Sequence, residues 1–285
     1  MQVEIKGVCK RLKKNDILKH IDLTIEGIYG LVGPNGAGKT TLMKILASLH
    51  SFQKGDVCID GQSYVKRGYV QQNPLIGYLA QEFMVYPKIT VDEVLDHIAV
   101  LQGINDKLTR RKMIQEVLQK VNLEYHGQKK MFELSGGMRR RVGIAQLLLR
   151  KPKILIFDEP TAGLDIEERI RFRNLLKNLG NEHTVVISSH IVEDIEFLCN
   201  KIGVIKEGNV LFEGPPEALK AQANGCVYEY DISFEEMDAF LHEKEVVQIT
   251  EMHNHLTVRI FSREAEEGKQ VSPRLMDGYL AVVRG

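Results

Sequence analysis

At its strongest motif the chain reads Gly33-Pro34-Asn35-Gly36-Ala37-Gly38-Lys39-Thr40, which fits the phosphate-loop pattern G-x-x-x-x-G-K-[ST]. A short apolar run, Ile28 to Val32, precedes the loop and is typical of a buried strand. Apolar residues at helical spacing follow it, namely Leu42, Ile45, Leu46 and Leu49. Strand, glycine-rich loop and helix N-terminus therefore occur in the order that phosphate binding requires.

The chemistry of phosphate binding explains the composition of this loop. Gly33, Gly36 and Gly38 lack a Cβ, so the backbone can curl and approach a ligand closely. The backbone N–H groups then converge on one concavity, and the dipole of the following helix adds positive potential for an anion. Lys39 supplies a positive charge for the outer phosphates, and the Thr40 hydroxyl is a ligand for Mg²⁺. The motif alone leaves open a second interpretation, an ordinary glycine turn before a helix.

The composition argues against several classes of protein. The 285 residues suffice for one large domain or two, and 44% of them are apolar, which allows a sizeable core. The 38 basic and 38 acidic residues balance, so the net charge gives no indication of a nucleic-acid or anionic-membrane partner. The chain has no apolar stretch of about 18 residues, and Met1–Lys6 lacks the apolar core of a secretion signal. Four cysteines are scattered without metal-site spacing, so we expect a soluble intracellular protein with reduced thiols.

Strand and helix patterns alternate along the chain around a helical middle third. Residues 1–30 alternate like paired strands, and Thr90-Val91-Asp92-Glu93 reads as a capping box at the start of a helix. Further helices are expected over Ile114–Val121 and from Ser135 to Leu149. Ile154–Phe157 is a continuous apolar run, typical of a strand that is buried on both faces. This order indicates an α/β core interrupted by a helical insertion.

Two more helices are expected in the second half of that core. One carries Ile166, Ile170, Leu175, Leu176 and Leu179 and ends at Gly180, and the next carries Ile191, Val192, Ile195 and Leu198.

The segment Gly214-Pro215-Pro216 predicts a domain boundary. Beyond it, strands are expected over Cys226–Ile232, Val246–Ile249 and Leu256–Phe261, and Ser233-Phe234-Glu235-Glu236 reads as a second capping box. We therefore predict one domain over residues 1–214, with a helical subdomain over about residues 83–150, and a small α+β extension over residues 215–285.

Leu134-Ser135-Gly136-Gly137 is the second strong motif, and with the phosphate loop it resembles the ATP-binding cassette (ABC) family, whose signature is LSGGQ. Further matches follow in the order of that family, over about residues 1–214. They are Gln81 for the Q-loop, Phe157-Asp158-Glu159-Pro160 for the end of the Walker B strand, Ala162-Gly163-Leu164-Asp165 for the D-loop and His190 for the switch histidine. The resemblance implies an α/β fold: a P-loop NTPase core with an antiparallel β subdomain and a helical insertion, here followed by a small C-terminal α+β extension.

The residues at the ends of the expected strands suit nucleotide hydrolysis. Asp158 ends an apolar strand, so its carboxylate is expected at the edge where α/β sheets bind ligands. A hard oxygen ligand there suits Mg²⁺, and the alternative is an ordinary acidic residue between strand and loop. Glu159 is expected to be the general base that deprotonates the attacking water, and a Glu here favours an active hydrolase. His190 follows a buried strand and is expected to donate a hydrogen bond to the γ-phosphate.

The resemblance implies roles for the remaining motif residues. Gln81 would contact both Mg²⁺ and the attacking water, which makes Glu159, His190 and Gln81 the catalytic residues and Thr40, Gln81 and Asp158 the metal ligands. ATP is expected to contact Gly33, Pro34, Asn35, Gly36, Ala37, Gly38, Lys39, Thr40, Thr41, Ser135, Gly136, Gly137 and Asp165. The signature of one subunit would close on the γ-phosphate that its partner holds. The alternative for Ser135 is a plain helix N-cap.

Three features near the motifs carry further expectations. Leu12 occupies the position where the family usually stacks an aromatic side chain on adenine, so affinity for the base is expected to be modest. A solvated helix face is expected for at least two of Arg139, Arg140 and Arg141. The segment Glu82–Tyr86 is apolar enough to be a docking surface.

The function implied is that of an ATPase subunit of an ABC transporter, similar to the ATPases of ABC-2-type exporters. Two identical or similar copies would enclose two molecules of MgATP head to tail. Closure would drive separate membrane permease subunits from the cytoplasmic face of the cell membrane, with no nucleic acid involved. The alternative is a soluble member of the same superfamily that acts on nucleic acid or the ribosome. The absence of sustained heptads between the two motifs and the presence of one cassette favour the transporter.

Overall fold

The computed structural model describes residues 1–64, 73–81 and 86–285. In chain order, its strands are β1 (Val3–Leu12), β2 (Asn15–Ile25), β3 (Ile28–Val32), β4 (Lys54–Ile59), β5 (Gln62–Ser63), β6 (Ile76–Leu79), β7 (Ile154–Phe157), β8 (Thr184–Ser189), β9 (Lys201–Lys206), β10 (Asn209–Gly214), β11 (Val227–Ile232), β12 (Val246–Glu251), β13 (Leu256–Phe261) and β14 (Lys269–Gln270). Its helices are α1 (Lys39–Leu46), α2 (Val91–Leu101), α3 (Lys107–Lys120), α4 (Gly136–Leu148), α5 (Ile166–Leu179), α6 (Glu193–Glu196), α7 (Pro216–Ala221), α8 (Met237–Glu243) and α9 (Leu275–Arg284), with a 3₁₀ turn at Met131–Glu133.

A mixed sheet in the order β10-β9-β3-β8-β7-β6 forms the centre of the molecule. Its neighbouring strands pair in parallel, except that β10 runs antiparallel to β9. Both faces of β7 are covered: Leu155 and Phe157 pack in a core with the helices, whereas Ile154 and Ile156 pack in a core with the antiparallel sheet. This burial on two faces explains the continuous apolar run, and it confirms the predicted strand.

A second, antiparallel sheet has the order β2-β1-β4-β5. Val3 pairs with Ile25 and Ile5 pairs with Leu23, so alternate residues of the first two strands face the same side. That side packs against α1 of the phosphate loop. The alternating pattern of the N-terminal residues is confirmed as a pair of strands.

The helical insertion is built from α2, α3 and α4, which pack against one another, and α4 also packs on β6. The capping box predicted at the start of α2 is present. Thr90 Oγ1 accepts from the Glu93 amide at 3.2 Å, and the Glu93 carboxylate accepts from the Thr90 amide at 2.7 Å. The other two helices begin after Asp106 and Ser135, whose side chains accept a backbone N–H in the same way.

One apolar residue expected in a helix lies outside it, and two apolar residues of α5 are exposed. The first helix ends at Leu46, and Leu49 lies beyond it with 43% of its surface exposed, because Ser48 adopts a left-handed φ of 56° that turns the chain. In α5, Ile166 and Ile170 are 78% and 47% exposed. The buried stripe of that helix is instead Phe172, Leu175, Leu176 and Leu179. Because Phe172 lies six residues after Ile166, the two side chains project from different sides of the helix.

Two further local predictions differ from the structure. The helix expected over residues 191–198 is a single turn, α6, although Val192 and Ile195 are buried as expected. The second capping box is also wrong. The Glu236 carboxylate accepts from both the Ser233 amide and the Ser233 hydroxyl at 2.8 Å, so that hydroxyl donates instead of accepting a backbone N–H. Helix α8 begins only at Met237.

Beyond residue 214 the chain forms a third sheet, in the order β12-β13-β11-β14, together with α7, α8 and α9. Helices α7 and α9 were not predicted. Leu219 and Leu275, one from each of these two helices, belong to the same buried core as the central sheet. Gly278 allows the close approach, since a Cβ there would lie 2.0 Å from the Leu219 carbonyl oxygen. The division of the chain at residue 214 remains a prediction.

A buried ion pair joins α9 to the third sheet. Arg259, on β13, donates through Nη2 to Asp277 Oδ2 at 2.6 Å and to the Ser272 carbonyl at 2.7 Å. Its Nη1 donates to Glu229 Oε1 on β11 at 2.8 Å. Arg259 and Asp277 are 4% and 1% exposed. The pair therefore connects this sheet to a helix whose other face packs on the central core.

In the parts of the chain that the structure describes, none of the helices has both the length and the apolar character that crossing a bilayer requires.

Candidate active site

The phosphate loop lies between β3 and α1, as predicted. Gly36 and Gly38 adopt φ values of 81° and 107°, which side chains with a Cβ rarely tolerate. A Cβ on Gly33 would lie 2.0 Å from the Ile205 carbonyl oxygen, so the loop also packs tightly on the neighbouring strand β9. The glycines at these positions are thus required by the backbone and its packing, which argues against an ordinary turn.

Lys39 is folded back into the loop. Its Nζ donates to the carbonyl oxygens of Gly33 at 2.7 Å and Pro34 at 3.1 Å, and only 5% of the residue is exposed. Burial lowers the pKa of Lys39, and the nearby carboxylates of Glu159 and Asp158 act in the opposite direction. The ammonium group is therefore held inside the loop, close to both carboxylates.

A cavity of about 430 Å³ lies in front of the loop. Its lining consists of Ile17, Asn35, Gly36, Ala37, Gly38, Lys39, Thr40, Thr41, Gln81 and Glu159. The structure therefore brings together most of the predicted phosphate-loop residues and two of the predicted catalytic residues. Gly33 and Pro34 contribute the carbonyl oxygens that hold Lys39.

Asp158 lies at the carboxyl end of β7 with 4% of its surface exposed. Its Oδ1 accepts from the Ser188 hydroxyl at 2.6 Å, and its Oδ2 accepts from the Tyr78 hydroxyl at 3.3 Å. Burial and the Asp158 carboxylate both raise the pKa of Tyr78, so the phenol keeps its proton and remains a donor. The position expected for a metal-binding carboxylate is thus occupied by one that two neutral hydroxyls hold.

Glu159 adopts a left-handed φ of 46°, which is uncommon for a residue with a side chain. Its amide donates to Ser188 Oγ at 2.9 Å, and its carboxylate oxygen Oε2 lies 3.2 Å from His190 Nδ1. The His190 side chain is 44% exposed, so its ring is accessible from solvent. The predicted base and the predicted switch histidine are therefore in direct contact.

Ser135 and Asp165 both cap helices. Ser135 Oγ accepts from the Met138 amide at 3.1 Å at the start of α4, and Asp165 Oδ1 accepts from the Glu168 amide at 2.8 Å at the start of α5. Gly136 lines a separate cavity of about 170 Å³, whose lining includes Gln81 and Gly163. The described lining of the phosphate-loop cavity includes neither Asp165 nor any residue of the signature Leu134-Ser135-Gly136-Gly137. One chain therefore does not bring these residues to the phosphate loop.

The arginines after the signature differ from the expectation of a solvated face. Arg139 is exposed, but Arg140 donates to the Pro160 carbonyl and Arg141 is 8% exposed. Arg141 Nη2 lies 3.3 Å from Glu168 Oε2, across the contact between α4 and α5. The prediction failed because the partners, Pro160 and Glu168, lie 20 and 27 residues away in sequence, which periodicity within α4 does not report.

Leu12 lies outside the described lining of the phosphate-loop cavity, and its place beside adenine stays a prediction. It is the last residue of β1 and 41% exposed, and the described lining of the phosphate-loop cavity instead includes Ile17, on β2. The turn between β9 and β10 holds this strand against the loop: the Gly208 amide donates to the Ala37 carbonyl at 3.1 Å, and the Lys19 amide donates to the Gly208 carbonyl at 2.7 Å.

Ile17, Tyr78 and Ser188 are site residues that the sequence analysis missed. A hydroxyl two residues before His190, directly after the apolar residues Val185, Val186 and Ile187, was the available signal for Ser188. In the proposed docking segment Glu82–Tyr86, residues 82–85 lie outside the described residues, and Tyr86 is 78% exposed.

Comparison with known proteins gives consistent matches. The family model described as ABC transporter matches residues 18–162. The uncharacterized ABC transporter ATP-binding protein YcbN of Bacillus subtilis (strain 168) is 36% identical over 272 residues, which cover 93% of this chain and 86% of that protein. Nod factor export ATP-binding protein I of Burkholderia lata is 33% identical and covers 79% of this chain and 74% of its own length. Among solved structures, the dimeric bacterial ABC transporter cassette MJ0796 has a TM-score of 0.66 at 30% identity, covering 75% of this chain and 98% of that one.

Proposed function

This chain belongs to the ABC transporter family as an ATP-binding, ATP-hydrolysing subunit, and we propose that two copies close over two molecules of MgATP to drive separate membrane permease subunits. The arrangement of Glu159 carries the proposal. Its carboxylate lines the phosphate-loop cavity and contacts His190, so base, switch histidine and phosphate site converge in one chain. Phosphoryl transfer to water needs positioning and charge stabilisation, and these groups supply both.

The residues of the site have separate roles in this proposal. The loop amides and Lys39 bind the phosphates, with Lys39 exchanging the Gly33 and Pro34 carbonyl oxygens for phosphate oxygens. Glu159 accepts the proton of the attacking water, and its contact with His190 keeps the carboxylate over the cavity. His190 donates a hydrogen bond to the γ-phosphate.

The donor set at the edge of the sheet fits Mg²⁺. Asp158 offers carboxylate oxygens that are held by neutral hydroxyls, and Thr40 and Gln81 line the adjoining cavity with a hydroxyl and an amide oxygen. Such hard oxygen ligands, few in number and combined with phosphate oxygens, are the usual environment of this ion. We assign Thr40, Gln81 and Asp158 as its ligands. The ion would neutralise charge that develops on the phosphates.

A second copy supplies the signature residues in this proposal. Ser135, Gly136 and Gly137 begin a helix, where backbone N–H groups favour an anion, but in one chain they lie apart from the phosphate loop. The dimeric state of a cassette 30% identical to this chain supports a head-to-tail pair. Asp165 would then lie between the two copies, next to the signature cavity.

Export is the direction that we propose, at the cytoplasmic face of a membrane. A relative of this chain that is named for Nod factor export supports it. The soluble alternative, an ATPase acting on nucleic acid or the ribosome, has no support among these relatives, which are named as transporter subunits. Co-purification of the chain with an integral membrane subunit tests this part directly, and a stable complex with ribosomes or DNA instead would contradict it.

Sedimentation of the Glu159→Gln variant tests the closed pair. MgATP is expected to convert this variant from monomer to dimer, because it binds nucleotide and does not hydrolyse it. A variant that stays monomeric at saturating MgATP and high protein concentration would contradict the proposal.

Ser135 allows a sharper test on the Glu159→Gln background. Asp and Asn both replace Ser well as helix N-caps, but only Asp adds a negative charge. If Ser135 faces the partner's phosphate, Ser135→Asp abolishes MgATP-dependent dimerisation whereas Ser135→Asn retains much of it. If Ser135 is only an N-cap, the two variants dimerise alike.

A further inference from the structure

Ser188 is the most buried polar side chain near the proposed site. It lies on β8 and is 0% exposed, between Asp158 at the end of β7 and the backbone of Glu159. Its hydroxyl donates to Asp158 Oδ1 at 2.6 Å and accepts from the Glu159 amide at 2.9 Å. One hydroxyl thus contacts both acidic residues of the site.

The neighbours of Ser188 show that this hydroxyl has a particular place. Val185, Val186 and Ile187 precede it in the same strand, and all are buried. A hydroxyl buried among apolar residues is unfavourable unless it is hydrogen-bonded, and here it is used both as donor and as acceptor. The sheet order makes this possible, because β8 pairs directly with β7.

The contact with Asp158 fixes the orientation of a carboxylate without neutralising it. The second oxygen accepts from Tyr78 on β6, so hydroxyls from the two strands that flank β7 hold the two oxygens. Each carboxylate oxygen has lone pairs beyond those used by a single hydroxyl. Both oxygens therefore retain lone pairs that can bind a cation.

The contact with Glu159 acts on the backbone. This residue has a left-handed φ of 46°, a conformation that is disfavoured for residues with a Cβ. The Ser188 hydroxyl accepts the amide hydrogen of that same residue, which holds the peptide in the orientation that directs the side chain to His190. Without the hydroxyl, the amide would lose its partner and the constraint on φ would weaken.

We propose that Ser188 is a positioning residue for ATP hydrolysis, which sets the metal-binding carboxylate of Asp158 and the basic carboxylate of Glu159 in one fixed relation, with Tyr78 holding the other side of Asp158. The proposal deepens the function proposed above and rests on it. Ser188 acts on the two acidic residues in different ways: it orients the side chain of Asp158 and the backbone of Glu159.

The test uses Ser188→Ala in the full chain, with Ser188→Thr as the variant that keeps the hydroxyl. Binding of a fluorescent N-methylanthraniloyl derivative of ATP is measured with Mg²⁺ and with EDTA, together with kcat for ATP. Loss of a group that orients a metal ligand typically costs about 10- to 100-fold in metal affinity or activity. We expect Ser188→Ala to lose kcat by about that factor and to lose most of the Mg²⁺-dependent gain in nucleotide affinity. Affinity in EDTA should stay unchanged, and Ser188→Thr should restore both losses.

Thr184→Val is the matched control. Thr184 is a buried hydroxyl residue at the other end of β8, where it donates to the Met1 carbonyl at 2.7 Å. This variant should keep the kcat and the Mg²⁺-dependent gain of the unmodified chain. If Thr184→Val loses as much as Ser188→Ala, the effect belongs to strand stability and the proposal is overturned. It is overturned equally if Ser188→Ala keeps both readouts.

Tyr78→Phe keeps the proposal testable should Ser188→Ala fail to fold. It removes one hydroxyl from Asp158 Oδ2 and leaves the Glu159 backbone untouched. We expect a reduced Mg²⁺-dependent gain in affinity with unchanged affinity in EDTA, and an unchanged gain would overturn the role given to the hydroxyls. Failure of the proposed function itself looks different, since the unmodified chain would then show no Mg²⁺-dependent gain.

Discussion

Asp158 and Asp277 are both buried carboxylates, yet the groups around them differ. Asp277 accepts from the Arg259 guanidinium at 2.6 Å, so a positive charge compensates its own. In the described structure, the side chains that donate to Asp158 are the neutral hydroxyls of Ser188 and Tyr78, and Lys39 donates to loop carbonyls instead. A buried carboxylate to which no cation donates a hydrogen bond is less favourable than a paired one, and such cost is typical of functional sites. The Arg259–Asp277 pair thus stabilises the position of α9, whereas the surroundings of Asp158 suit its proposed role as a metal ligand.

The largest expected effect concerns hydrolysis at the nucleotide site. Glu159→Gln should lower kcat for ATP by about 10²- to 10⁴-fold, the usual contribution of a general base. The amide keeps the shape of the side chain, so the melting temperature should change little. Steady-state release of phosphate measures the loss. Glu167→Gln, at an exposed position on α5, is the control and should hydrolyse ATP normally.

The next effect compares the two carboxylates by the same substitution. Asp277→Asn should lower the free energy of unfolding by about 3–5 kcal/mol, because it removes the buried carboxylate that pairs with Arg259 and leaves Glu229 as the charged partner of that guanidinium. Asp158→Asn should keep or raise that free energy, since it removes a buried charge whose side-chain hydrogen bonds, in the described structure, come from the hydroxyls of Ser188 and Tyr78. Chemical denaturation of the full chain measures both. Equal destabilisation by the two variants would show that the carboxylates have the same structural role.

A smaller effect is expected where α9 packs on α7. Gly278→Ala should destabilise the chain by about 1–3 kcal/mol, because the added methyl group meets the Leu219 carbonyl oxygen in a filled interface. Intrinsic helix propensity acts the other way, since Ala favours a helix over Gly by roughly 1 kcal/mol. Thermal unfolding decides between them, and a stabilised variant would mean that α9 is free to move away from α7.

The smallest effect is expected at the rim of the nucleotide site. Leu12→Tyr would supply the aromatic side chain that is missing at this position, and stacking is worth about 0.5–1.5 kcal/mol beyond burial. Titration should show ATP binding tighter by that amount, with a smaller gain for inorganic triphosphate, which has no base. Leu108→Tyr, at an exposed position in the helical insertion, is the control. If ATP binds no more tightly, the adenine base does not lie beside residue 12.

The motif residues were predictable because their chemistry is local in sequence. The phosphate loop, its strand and its helix occupy consecutive residues, so the pattern carries both the geometry and the ligand. Glu159 and His190 each follow a recognisable strand, and the carboxyl ends of β7 and β8 meet because these strands pair in parallel.

The contacts that hold the motif residues were not predictable in this way. Tyr78, Asp158 and Ser188 come from three strands, and their meeting depends on the order β6-β7-β8, which periodicity does not report. Arg141 and Arg259 were missed for a similar reason, since each is paired with a residue on another element. Helix α9 was missed although Leu275, Met276, Tyr279, Val282 and Val283 recur at helical spacing and pack on the central core.

The way that α7 and α9 sit on the molecule has a consequence for shortened versions of this protein. Truncation of the chain after Gly214 would remove Leu219 and Leu275 and expose to solvent the apolar surface that they cover. Such a fragment should aggregate or unfold with less cooperativity on heating. Any loss of ATPase activity would then reflect damage to the core of residues 1–214. A test of what residues 215–285 contribute should therefore keep α7 and α9 and change only solvent-exposed residues of the third sheet.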